Sequence, residues 1–196
     1  MACASCQKDS KKGNGYIKPE GLHYPPFGAG DIMVYDGEIR RLSQGDWSPE
    51  THKLILFFPE TFTPVCGSEM GALNDWIDSF REQNVEVFAA TADPINAVQD
   101  WYESEEQLKN PKYKVISSYI LPTRLKIMNN GKAKRASVFI TKDRDVIVCE
   151  HFLKVGRSLA ELHRQIYAYN QDSYCGEGWT SPEDGFLKND NDSQEI

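Results

Sequence analysis

The segment FFPETFTPVCGSEM, residues 57–70, sets Cys66 where an apolar run gives way to a helix-like pattern. A thiol in the first turn of a helix faces unpaired backbone N–H groups, and their partial positive charge favours the nucleophilic thiolate. Ionisation alone achieves little: an unperturbed thiol is already ~3% thiolate at pH 7, so full ionisation gains at most ~30-fold. Other groups must stabilise the transition state, and the neighbouring residues suggest which. Thr63, three before Cys66, has a hydroxyl able to donate and accept, and could touch both the sulfur and a substrate oxygen. Pro59 and Pro64 stiffen the loop and lack an N–H, which suits a pocket that keeps water from the thiolate. Glu69, one helical turn after Cys66, could orient an arginine brought in from elsewhere. The plainer readings are Cys66 as a small apolar core residue and Thr63 as a helix-entry cap.

The other cysteines carry weaker signals. Cys3 and Cys6 form a C-x-x-C in a lysine-rich tail, without the strand-to-helix setting of a redox pair and without a second pair to complete a zinc site. They read as incidental thiols. His23, His52, His151 and His163 show no metal-ligand spacing, so neither metal nor cofactor is expected. Cys149 lies in the strand-like VIVCEHF and reads as a packed core thiol, on one strand face with His151. Five cysteines without a framework-like spacing fit a cytoplasmic protein better than a disulfide-stapled one.

The elements that must position Cys66 follow from periodicity. MVYDGEIRRL alternates about Asp36-Gly37, a hairpin signal in which both turn residues want positive φ. HKLILFF, 52–58, and VEVFAAT, 85–91, are continuous apolar runs, as in strands buried on both faces. Between them Met70, Leu73, Trp76, Ile77 and Phe80 trace one helical face. Asp93-Pro94 reads as a cap and first-turn proline for a second helix bearing Val98, Trp101 and Tyr102. YKVISSY suggests a further strand, and LPTRLKIMNNG a short helix closed by Gly131. ASVFIT and VIVCEHF make a hairpin across KDRD, and Ser158 with Glu161 forms a capping box for SLAELHRQIYAYN. The class is α/β, with a thioredoxin-like arrangement as one compact solution: a central mixed sheet flanked by helices, with an N-terminal hairpin.

Composition limits the partners. The net charge is -7, with a sum of -4 over residues 183–196 and +2 over 1–20. Both ends read as solvated tails, residues 1–20 and 173–196, around a single domain at 21–172. An acidic body repels phosphate, so nucleic acid is not an expected partner. No apolar run reaches the ~20 residues of a membrane span, and the N-terminus lacks a secretory apolar region.

PETFTPVC resembles the active-site signature of the peroxiredoxins, down to the apolar LILFF before it and the glutamate three residues after the cysteine. RASVFI, KVGRSLAEL and YCGEGW resemble later landmarks of the typical two-cysteine subgroup in the same order, so the likeness covers roughly residues 30–182. The resemblance implies a thioredoxin-like peroxidase that reduces hydrogen peroxide or small organic hydroperoxides. Cys66 matches the peroxidatic cysteine, with Thr63 and Pro59 as pocket partners and Arg135 as the arginine that binds peroxide and steadies the thiolate. Arg157 matches a second arginine that networks with Glu69, although a merely structural ion pair is an equal reading of those two. Cys175, 109 positions after Cys66, matches the resolving cysteine, and Trp179 the tryptophan of the same motif. An external dithiol reductant, a homodimer and a ring of dimers are implied as well. Phe58 and Gly67 replace a usual tyrosine and proline. KNPK stands where a Gly-Gly-Leu-Gly is common, and no Tyr-Phe pair follows Trp179. The two missing elements, Gly-Gly-Leu-Gly and Tyr-Phe, predict resistance to overoxidation by the same resemblance. The alternatives are a one-cysteine mechanism, or a non-enzymatic chaperone or redox-relay role.

Overall fold

The structure, a computed structural model, describes residues 32–171 and Trp179. The expectations for both tails, and for Cys3, Cys6, His23 and Cys175, lie outside the described residues. A first hairpin pairs β1 (Met33–Tyr35) with β2 (Ile39–Arg41). Its connection is a three-residue turn, Asp36–Glu38, in which only Gly37 takes a positive φ, +107°. The added residue relieves Asp36 of the left-handed conformation expected of a two-residue turn.

β3 (His52–Phe57) leads into α1 (Pro64–Glu82), then β4 (Val85–Thr91), α2 (Ile95–Ser104) and β5 (Lys114–Ser117). β3, β4 and β5 are parallel, joined by these helical crossovers. After α3 (Ile120–Arg124) comes a small hairpin of β6 (Met128–Asn129) and β7 (Lys132–Ala133). β8 (Ala136–Ile140), β9 (Val146–Glu150) and α4 (Leu159–Asn170) complete the described chain. The main sheet has the order β2-β1-β5-β4-β3-β8-β9, with β8 antiparallel to β3.

β3 reads as an unbroken apolar run because both of its faces are covered. Leu54, Leu56 and Phe58 join the core under α1, α2 and α4 with Met70, Leu73, Trp101 and Leu162. Ile55 and Phe57 join a second core on the other face with Trp47, Phe88, Leu121 and Leu125. Two layers of helix and loop thus hold the C-terminal ends of β3 and β4 side by side, with Phe57 in register with Ala90.

Three local expectations are corrected. The segment 121–131 is not one helix: α3 ends at Arg124, and Gly131, at φ +79°, turns the β6–β7 hairpin after Asn130 at +49°. A left-handed glycine serves a helix end and a hairpin turn equally, so its presence alone did not decide between them. Asp93 does not cap α2, whose N-cap is Pro94 and carries no side-chain cap. Ser158 accepts from the Glu161 N–H as expected, but the Glu161 carboxylate turns to Arg164 and Gln165, so only half of a capping box forms.

Candidate active site

Cys66 stands in the first turn of α1, after the N-cap Thr63, Pro64 and Val65. The first backbone bond of the helix runs from the Gly67 N–H to the Thr63 carbonyl at 2.9 Å. The Val65 and Cys66 N–H groups therefore precede the helical ladder and point their positive ends outward from this terminus. The side chain of Cys66 is 1% exposed, against Phe58, Met70 and Trp101 in the core, and its thiol is free. Its placement is at once that of a buried core residue and that of a thiol at a helix N-terminus.

The charged residues converge on the sulfur. Arg135, on the residue before β8, donates from Nη2 to Cys66 Sγ at 3.5 Å and from Nη1 to Glu69 Oε2. Its Nε and Nη2 also donate to the Leu153 carbonyl, at 3.4 and 3.1 Å, which fixes the plane of the guanidinium. Arg157 donates to Glu69 Oε1 from both its backbone N–H, at 2.6 Å, and its Nε, at 3.0 Å. Its remaining donors go to the Ala136 carbonyl at 3.1 Å and to the Phe57 carbonyl. Burial pulls the Arg157 guanidinium below its usual range, and Glu69 opposes that. One buried carboxylate is thus shared by two buried guanidiniums, leaving a positive charge beside the sulfur. A lone structural ion pair would not have this excess.

The model of the AhpC/TSA family matches residues 25–148. The chain belongs to that family. Among curated relatives, the chloroplastic 2-Cys peroxiredoxin BAS1 of Hordeum vulgare is 26% identical over 191 residues, covering 90% of this chain and 89% of the relative. The alkyl hydroperoxide reductase C of Mycolicibacterium smegmatis is 26% identical over 153 residues, 76% of this chain and 78% of that protein. The match to the BAS1 protein of Spinacia oleracea spans 60% of its length, at 27% identity over 74% of this chain. Among solved structures, the reduced 2-Cys peroxiredoxin of Plasmodium vivax superposes with a TM-score of 0.70 at 22% identity, over 80% of this chain and 89% of that one. Plasmodium yoelii thioredoxin peroxidase I does so at 0.64 and 29% identity, over 76% and 94%. The fold of this peroxiredoxin is accordingly thioredoxin-like, as the sequence led us to expect.

Two residues of this peroxiredoxin differ from their sequence expectation. The Thr63 hydroxyl donates to the Glu60 carbonyl at 3.1 Å and makes no cap bond to the helix. Cys149 is not a core thiol: it is half-buried on β9, at the end of the sheet order, where nothing in the local sequence marks an edge. Pro59 is buried and, with Arg135, His151 and Leu153, walls a cleft of about 310 Å³ that reaches the β6–β7 hairpin.

Several contributors were not legible in advance. Leu153 and Phe57 act through carbonyls, which no side-chain pattern announces. Ser137 receives Arg157 Nη1 at 3.4 Å and meets His151 Nε2 at 2.8 Å. Burial, chiefly, and the Arg157 charge push the His151 imidazole down to about 4, so it stands neutral at pH 7. Trp179 packs on α4, its ring 5.9 Å from that of Tyr167 and its carbonyl accepting from Arg164 Nη1 at 3.2 Å. Among the described residues no cluster of three or more His, Cys, Asp or Glu side chains could hold a metal, and no helix is long and apolar enough to cross a membrane.

Proposed function

We propose that this peroxiredoxin reduces hydrogen peroxide and small organic hydroperoxides through Cys66, with Cys175 of a second copy as resolving cysteine. The observation that carries the reading is Arg135 Nη2 aimed at Cys66 Sγ from a cluster in which one carboxylate serves two guanidiniums. The thiolate attacks one peroxide oxygen, the O–O bond breaks, and the departing oxygen leaves with its electron pair and takes a proton. Negative charge grows on that oxygen, where Arg135 and the N–H groups of the first helical turn supply donors that need no reorganisation. Pro59 and Phe58 keep water from the sulfur. The sulfenic acid then condenses with the Cys175 thiol, releasing water and forming a disulfide. An external dithiol of thioredoxin type reopens it.

Assembly as a homodimer is supported by Phe152, Leu153 and Val155, which are exposed beyond β9, Phe152 by 82%. The deciding experiment is non-reducing peptide mapping after one equivalent of hydrogen peroxide. A disulfide between Cys66 of one chain and Cys175 of another is the expected product. Oxidised Cys66 without that link means a one-cysteine enzyme, and an unreacted Cys66 overturns the peroxidase reading altogether.

A further inference from the structure

The turn that carries the chain from β3 into the Cys66 helix is strained at one exposed residue. Phe62 lies at φ +56°, a region costly for a bulky residue, with its side chain 57% exposed. Something must hold this turn against relaxation, and the holder lies just past the end of β4. The Thr61 N–H and the Thr61 hydroxyl both donate to Asp93 Oδ2, at 2.7 and 3.0 Å. Thr61 is itself buried.

Asp93 is well placed to act as an anchor. Its N–H donates to Thr91 Oγ1 at 3.2 Å, and its carbonyl accepts from Ser117 Oγ at 2.6 Å. Its carboxylate is available to Thr61 because α2 begins without a side-chain cap. The two junctions adjoin because β3 and β4 run parallel in register, with the Phe58 N–H donating to the Ala90 carbonyl at 2.9 Å.

We infer that Asp93 is a positioning residue for peroxide reduction, whose carboxylate holds Thr61 and so keeps the Pro59–Thr63 turn closed over Cys66. The inference rests on the proposed role of Cys66. Released, the turn loses the geometry that sets the first-turn N–H groups about the sulfur, while Cys66 becomes accessible. Closure favours reaction with peroxide and opposes access by larger reagents, so the two rates must move in opposite directions. The Lys132–Glu60 ion pair, 2.5 Å, also touches this turn, but both side chains are about half exposed and such pairs contribute little.

The test uses the full-length reduced protein and its Asp93→Ala, Asp93→Asn and Lys132→Ala variants. Rapid-mixing kinetics gives the rate of Cys66 oxidation by hydrogen peroxide, and peptide mapping gives the rate of Cys66 alkylation by a bulky maleimide. Loss of two charge-assisted bonds predicts that Asp93→Ala slows oxidation about 10- to 100-fold and speeds alkylation by a similar factor. Asp93→Asn, which keeps an acceptor oxygen, recovers most of both, and Lys132→Ala stays within about twofold on each. Hydrogen exchange in Asp93→Ala is expected to rise over residues 60–67 while β3, β4 and β5 keep their protection. Unchanged rates, rates that fall together, or protection lost throughout those strands would each overturn the inference. Persistent peroxide consumption by Cys66→Ser, by contrast, defeats the proposed function and leaves the alkylation and exchange results to judge the turn.

Discussion

Strand β3 has a buried cation at each end, and the ends differ in how the charge is balanced. At its start Lys53 is fully buried, its ammonium donating to the Ser48 and Thr51 carbonyls at 2.6 and 2.7 Å and pairing with Glu86 at 3.2 Å. The Trp47 ring lies 5.4 Å from the same nitrogen. The ammonium has an acceptor for each of its protons, and one carboxylate answers one cation. At the other end the Phe57 carbonyl meets Arg157, and two guanidiniums divide one carboxylate beside Cys66. Burial of charge is common to both ends. What marks the end beside Cys66 is charge left over, with a sulfur as the group that can answer it.

Three measurements test that contrast. The largest effect is expected from Glu69→Gln, which leaves two buried guanidiniums without a counter-charge. Removing one partner from a buried ionic network costs about 3–5 kcal/mol, to be read from denaturant unfolding. A loss below about 1 kcal/mol would mean that solvent, not Glu69, balances the arginines.

An intermediate effect belongs to His151, where Arg157, Arg135 and Glu69 all act on the ring. Unfolded, it takes up a proton near 6.5; folded, only near 4. The unfolded chain therefore binds more protons between those values, and stability falls as pH drops from 6.5 towards 4. Allowing for screening of a half-exposed ring, about 1–2 kcal/mol is lost by pH 4. His151→Gln should flatten that part of the profile, while His52, also lowered by burial, retains its own. An unaltered slope would show that the excess positive charge does not reach the ring.

The smallest effect is expected at the balanced end. Replacing both members of a buried pair by apolar residues of similar volume is often close to neutral, so Lys53→Met combined with Glu86→Leu should shift stability by no more than about 1 kcal/mol and leave peroxide consumption unchanged. A loss of activity would link the two ends of β3 and erase the distinction drawn between them.

The same contrast explains what the sequence disclosed. Cys66 at the head of α1 was legible because a strand run, a proline and a helical face are local signals. So were β3, β4 and the β8–β9 hairpin. Arg135 and Arg157 were visible only through resemblance to a family, since β8 and the α4 approach meet α1 by pairings remote in sequence. Asp93 misled for the opposite reason: Asp-Pro before a helical face is a good local cap signal, and a tertiary contact to Thr61 took the carboxylate instead. Gly131 was ambiguous by nature, and the edge position of Cys149 depends on strand order, which periodicity does not encode.

The sheltered position of Trp179 gives the protein an optical signal of its own. The indole is 2% exposed against Tyr167 and lies four positions from Cys175 in the chain. Trp47 and Trp101 are fixed in the cores and Trp76, on α1, packs against the first of them, so they form a steadier background. Any rearrangement that brings Cys175 to a sulfenic acid must either keep this ring in its niche or release it to water. A red-shifted, quenched emission would mark release, turnover by turnover, without a label.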